Sequence, residues 1–209
     1  DQAVIAIENV RLFTELQNKN QALTAAHEQI SEAFARQTAT ADILGVISRS
    51  PTDVQPVFDA IVASATRLCD AGTGAVVSFD GELMHLQATR NWTPEFDAAI
   101  RSTLPAPPSR AFSVGRAILE RTVVHVPDVE LDPEYTEFIR LAGFFRSLLS
   151  VPMLRDGVPL GAITVGRAAP GPFSDTQIAL LQTFADQAVI AIENVRLFTE
   201  LQASNRELT

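Results

Sequence analysis

A single cysteine, Cys69, in 209 residues rules out an internal disulfide framework, and a reducing cytoplasm is the simplest compartment for such a chain. No apolar run approaches the roughly 18 residues that a bilayer-spanning helix needs, and no signal peptide is visible, so no membrane contact is expected. Positive charge is scarce too: sixteen basic residues face twenty-five acidic ones, a net charge of −9, with no basic cluster. A nucleic acid would be repelled rather than held. The three histidines, His27, His85 and His125, form no i, i+4 pair and no Cys-x-x-Cys occurs, so no metal site is expected. There is no Gly-x-Ser-x-Gly elbow, and Gly72-Thr73-Gly74 is too short for a phosphate loop and precedes a strand. Enzymatic activity is not expected of this chain.

What is present is ordinary globular material, 46% hydrophobic and 20% charged, enough to bury one substantial core. Residues 1–48 contain no proline and only one glycine, Gly45, while Ala, Glu, Gln and Leu dominate, which predicts one long helix or two in series. A heptad frame places Ile5, Leu12, Lys19, Ala26 and Ala33 at one core position and Asn9, Leu16, Leu23 and Ile30 at the other. Two arrangements fit: a coiled coil with a second helix, giving a homodimer, or one amphipathic helix lying on its own domain.

The opening seventeen residues, DQAVIAIENVRLFTELQ, return unchanged at residues 186–202. Packing fixes residue class but leaves exposed letters free, so identity of this length marks a duplicated unit. The period of 185 residues, read from the two start points, is too long for a solenoid repeat and suits one whole domain plus a connector. The chain is therefore expected to span just over one period of a tandem array. In both copies an asparagine, Asn9 or Asn194, occupies a heptad core position, where it can fix helix register at some cost in stability.

Between the copies the pattern alternates. Pro51 breaks the first helix, Asp53 caps a second, and Val57, Ile61, Ala65 and Leu68 give that helix an apolar stripe. TGAVVSFDGELMHLQATRN predicts a hairpin at Asp80-Gly81. TPEFDAAIRSTL predicts a helix, TVVHVPDV a strand ended by Pro127, and DPEYTEFIRLAG a helix stopped by Gly143. SLLSVPMLRDGVPLGAITVGR predicts two strands around Arg155-Asp156-Gly157, apolar enough for both sheet faces to be covered. Ser174 caps a last helix that runs on without Gly or Pro. The expected class is α/β, a sandwich of sheet and helices flanked by long helices at both ends. The expected divisions are a connector helix over 1–49, a domain over 50–185 and a C-terminal helix over 186–209.

The run RSLLSVPMLRDGVPLGAITVGR followed by FSDTQIALLQTFADQAVIAIENVRLF resembles the GAF domain family of small-molecule sensor modules, over about residues 50–202. The resemblance implies a central antiparallel sheet with the terminal helices on one face and a ligand cavity on the other. It also implies a last helix that leads, often as a coiled coil, to another sensor or to a histidine kinase. The repeated segment would then be the last helix of successive GAF domains in a multi-GAF protein. The Asn-Lys and Phe-Asp-Glu pattern of cyclic-nucleotide-binding members is absent. Cys69 sits on a predicted helix and is expected to be a buried small hydrophobe, not a bilin attachment point. A haem could use His85 or His125, but a satisfied or surface histidine is the plainer expectation. One cysteine cannot complete the redox cycle of the related methionine-sulfoxide reductases intramolecularly.

The resemblance also points to pocket candidates between the two hairpins: Arg90, Trp92, Phe112, Tyr135, Phe138, Phe144, Phe145 and Arg146. An apolar cavity with one or two guanidinium groups would suit an organic anion. Alternatively the aromatics fill a core and the arginines face water.

Overall fold

The computed structural model describes residues 2–135 and 145–207. It divides into two compact units, Asp1–Ala39 and Thr40–Thr209. The first unit is helical, the leading part of α1 (Gln2–Arg49), which is one helix rather than two. The ion pairs Glu8–Arg11 and Glu15–Lys19, at i, i+3 and i, i+4, support it on the exposed side. Leu12, Leu16, Leu23 and Ile30 of the heptad frame are all exposed, as are Phe13 and Phe34, while the side chain of Ile5 lies outside those described.

In the second unit the last turns of α1 bury Ile43 and Ile47. Next comes α2 (Gln55–Leu68), with Pro56 in its first turn and Val57, Phe58, Ile61, Val62 and Ala65 buried. Asp53 accepts the N–H of Gln55 at 2.9 Å, closing the turn into this helix. Five strands follow: β1 (Thr73–Phe79), β2 (Met84–Arg90), β3 (Val124–Val126), β4 (Ser147–Arg155) and β5 (Val158–Arg167). They form one antiparallel sheet in the order β2-β1-β5-β4-β3. The β1–β2 turn takes the expected form, because Asp80 Oδ1 accepts from the N–H groups of Glu82 and Leu83, and Gly81 adopts φ +105°. The β4–β5 turn uses Asp156 at φ +50° and Gly157 at φ +78°.

Helices cover both faces. On one lie α2 and the final helix α5 (Asp175–Glu207), whose Leu181, Phe184, Ala185 and Ala188 are buried. Ser174 and Gln177 form a reciprocal cap at the start of α5: Ser174 Oγ accepts the Gln177 N–H and Gln177 Oε1 accepts the Ser174 N–H. On the other face lie α3 (Pro94–Thr103), capped by Thr93, and α4 (Ser113–Glu120). Sequence reasoning passed over α4 because it is only eight residues long and carries Gly115; its signal was the spacing of Val114, Ala117 and Ile118. The helix expected over 132–143 lies outside the described residues beyond Tyr135, and Asp132–Tyr135 itself is a turn.

His125 on β3 joins the sheet to the entry of α5. Its Nε2 accepts the Phe173 N–H at 3.0 Å, and Arg167 lies 4.0 Å above the Phe173 ring. Burial first, and the Arg167 charge second, hold the imidazole below its ordinary pKa. A depressed folded pKa makes the unfolded chain bind the proton more readily, so stability is complete above about 6.5 and falls as the pH drops from there. Thermal melts from pH 7.5 to 5.5 should show this decline, and His125→Asn should flatten it. An unchanged slope in the variant would assign the decline to other groups.

Candidate ligand-binding site

The face of the sheet under α3 and α4 carries a partly open cavity of about 70 Å³. Its floor is β1, β2, β4 and β5, including Ala75, Val77, Leu86 and Leu148. Its walls come from α3, through Phe96 and Ile100, and from the start of α4, through Phe112, Ser113 and Val114. Three aromatics interlock: Trp92 meets Phe96 edge-on at 4.8 Å, and Phe96 meets Phe145 at 5.8 Å. The segment before α4 is tied to the sheet where the Met84 N–H donates to the Ala106 carbonyl at 2.8 Å. Close approach sets Gly115, since a Cβ there would stand 2.2 Å from the Ser109 carbonyl oxygen.

Among the eight candidates, Trp92, Phe112, Tyr135 and Phe145 line this cavity. Phe138 and Phe144 lie outside the described residues. The two arginines are not among its lining residues and do not supply the expected grip on an anion. Arg90 is exposed at the end of β2. Arg146 turns to Asp128, with Nε–Oδ1 at 3.0 Å and Nη2–Oδ2 at 2.7 Å, and reaches Glu130 at 3.1 Å. That hydrogen bonding holds the Asp128 carboxyl below its usual range.

The arginine behind the cavity wall is one that sequence reasoning missed, Arg116 on α4. Its side chain is 7% exposed and makes a bidentate pair with Asp132 at 2.6 and 3.1 Å, while its Nε donates to the Arg110 carbonyl. Its guanidinium lies 5.1 Å from the centre of the Tyr135 ring. The pair clasps α4 to the turn that carries Tyr135. Burial pushes the Asp132 carboxyl up, but the hydrogen bonds from Arg116 and from backbone N–H groups outweigh it, so its pKa is lowered. A basic residue in a helix and an acidic one sixteen positions on carry no local signal that they meet.

Hydroxyls also gather at one edge. Tyr135 Oη accepts the Ser113 N–H at 3.3 Å, Ser113 and Ser150 bond at 2.8 Å, and Ser150 and Thr164 at 2.9 Å. Alternation along β4 and β5 hinted at the inward direction of Ser150 and Thr164 but not at this grouping. Among the described residues no group of three or more His, Cys, Asp or Glu could hold a metal ion, and no helix is long and apolar enough to cross a membrane.

Residues 51–193 match the family model described as GAF domain. The chain belongs to the GAF domain family. Solved structures similar to it, all at low identity, share the fold. The GAF domain of a phosphoenolpyruvate-protein phosphotransferase from Coxiella burnetii is 16% identical with a TM-score of 0.67, covering 80% of this chain and 98% of that one. The free methionine-R-sulfoxide reductase of Neisseria meningitidis, solved with its substrate, is 18% identical at a TM-score of 0.64, covering 80% and 93%. A domain of a protein described as a two-component sensor histidine kinase, from Sinorhizobium meliloti, is 18% identical at 0.57, covering 72% and 97%. In this GAF domain Cys69 closes α2, fully buried, and burial pushes its thiol up to about 12. It is not among the residues that line the cavity.

Proposed function

We propose that this GAF domain is a regulatory small-molecule-sensing module of a multi-GAF signalling protein, passing the state of its cavity through paired helices to an output domain such as a histidine kinase. The carrying observation is the apolar cavity under α3 and α4 with a cluster of hydroxyls at one edge. A path from cavity to output runs through the sheet, since β4 and β5 floor the cavity and Arg155 at their far turn pairs with Glu193 on α5. The tandem reading is supported by the seventeen residues shared by 1–17 and 186–202. Likeness to the sensor histidine kinase domain supports the kind of output. The sulfoxide reductase offers an enzymatic precedent on this fold, but a lone thiol raised to about 12 is a poor nucleophile and has no resolving partner.

The partner proposed for the helices is a second copy of this chain. Leu12, Leu16, Leu23 and Ile30 on α1, and Ile190, Leu197 and Leu201 on α5, are exposed apolar residues at heptad positions or their equivalents. Asn194 is exposed among them, where the same residue of a partner helix could meet it. The cavity's small volume favours one alternative, a ligandless dimerisation and relay module. Native mass spectrometry of the purified chain separates the readings: a dimer carrying a retained small molecule is expected of a sensor, and a dimer at bare protein mass, unshifted by added ligands, of the relay. A monomer at micromolar concentration would overturn paired-helix signalling in either form.

A further inference from the structure

The chemistry of the cavity wall narrows what the module can sense. Among the described residues none of the lining side chains is charged. Two nearby cations among the described residues are committed elsewhere, Arg116 to Asp132 and Arg146 to Asp128. A carboxylate or phosphate entering would lose its water and meet no counter-charge among the described lining residues, which an apolar site does not repay. At about 70 Å³ the space is under half the roughly 150 Å³ of an engineered cavity that takes benzene, so a single ring enters only as the walls move outward.

The polar edge is more specific. Each hydroxyl has one proton and lone pairs to accept with. Thr164 donates to the Leu149 carbonyl at 3.3 Å, and Ser150 has one proton to give to either Ser113 at 2.8 Å or Thr164 at 2.9 Å. Whichever neighbour Ser150 serves, the oxygens of Ser113 and Tyr135, which line the cavity, each keep a lone pair to accept with. Burial raises the pKa of Tyr135, so the phenol keeps its proton, which can turn toward Ser113 or toward a ligand. This edge can therefore both accept and donate, which is what another hydroxyl group requires.

We propose that the molecule recognised here is small, uncharged and largely apolar, carrying one hydroxyl group that joins the Tyr135–Ser113–Ser150–Thr164 chain; the inference rests on the sensing role proposed above. It replaces the organic anion that two arginines would have suited.

The chain contains one tryptophan, Trp92, and it lines the cavity, so its emission reports occupancy directly. Three probes of similar shape decide the matter: phenol, toluene and benzoate, titrated into the full chain with excitation at the red edge where only the indole absorbs. Phenol should shift Trp92 emission saturably and bind about five-fold tighter than toluene, the return from one neutral hydrogen bond. Benzoate should give no saturable change. In Ser113→Ala, and independently in Tyr135→Phe, the advantage of phenol over toluene should shrink while toluene binding holds. Equal affinity for phenol and toluene would overturn the hydroxyl assignment and leave the cavity standing as a binding site. Benzoate binding as tightly as phenol would overturn the claim of an uncharged ligand. If no probe moved the emission of a chain shown to be folded, the sensing role itself would fall.

Discussion

Replacing Asp132 with alanine is expected to remove about 3 kcal/mol of stability, because the buried Arg116 guanidinium loses its bidentate partner and keeps Glu134, 3.4 Å from its Nε, as counter-charge. That is a large share of the roughly 5–15 kcal/mol by which a domain is stable. Urea unfolding followed by circular dichroism measures it. Exchanging both partners for apolar residues, as in Arg116→Met with Asp132→Leu, should cost less than the single substitution, since no unpaired charge remains. If the double variant fared as badly as the single one, the clasp would matter for packing rather than for charge. The linkage has a definite sign. The folded carboxyl has a lowered pKa, so the stability it contributes is present above the unfolded value near 3.9 and is lost as the pH falls through the folded one. Because the clasp holds the turn bearing Tyr135 to α4, the single variant should also blunt any response of Trp92 to phenol.

Gly161→Ala is expected to be similarly severe, about 3 kcal/mol or more by urea unfolding. Gly161 adopts φ +149°, a region that side chains rarely visit, and a Cβ there would stand 2.1 Å from the Val77 carbonyl oxygen. The obstacle is backbone, so relief requires β1 and β5 to separate where they pair at Ser78 and Gly161. Strain and overpacking add at one position. Gly157→Ala makes the control: it shares a positive φ of +78° but has nothing within 4 Å, so only the backbone term remains. Equal losses in the two variants would show that close approach is not what selects glycine at 161.

These cases mark where the sequence was legible. Asp80-Gly81 and Asp156-Gly157 announce their turns because the backbone conformation they need is a property of those residues alone. Ser174 and Gln177 announce the start of α5 for the same reason, as their reciprocal bonds span only three residues. Gly161, within the run that carried the family resemblance, finds its physical reason only in the opposing Val77 carbonyl. Trp92, Phe112, Tyr135 and Phe145 could be named as pocket candidates because the family resemblance implies a ligand cavity on the sheet face away from the terminal helices. The arginines could not be sorted. Arg146 and Arg116 each met a carboxylate sixteen or more residues away, and only the folded arrangement of β3, α4 and the turn at Asp132 decides which guanidinium is taken and where.

The edges of the sheet bear on how such a protein assembles. A long, flat edge strand is a template on which a second chain can pair, and it makes a protein prone to aggregate. Neither edge here is of that kind. β3 offers only Val124–Val126, and β2 breaks register opposite Val76 and Val77 and has Ala106 bonded to Met84 on its outer side. Strand-to-strand growth into fibres is thereby disfavoured. A protein that strings such domains in series can hold many copies of the same sheet at high local concentration without their edges pairing with one another.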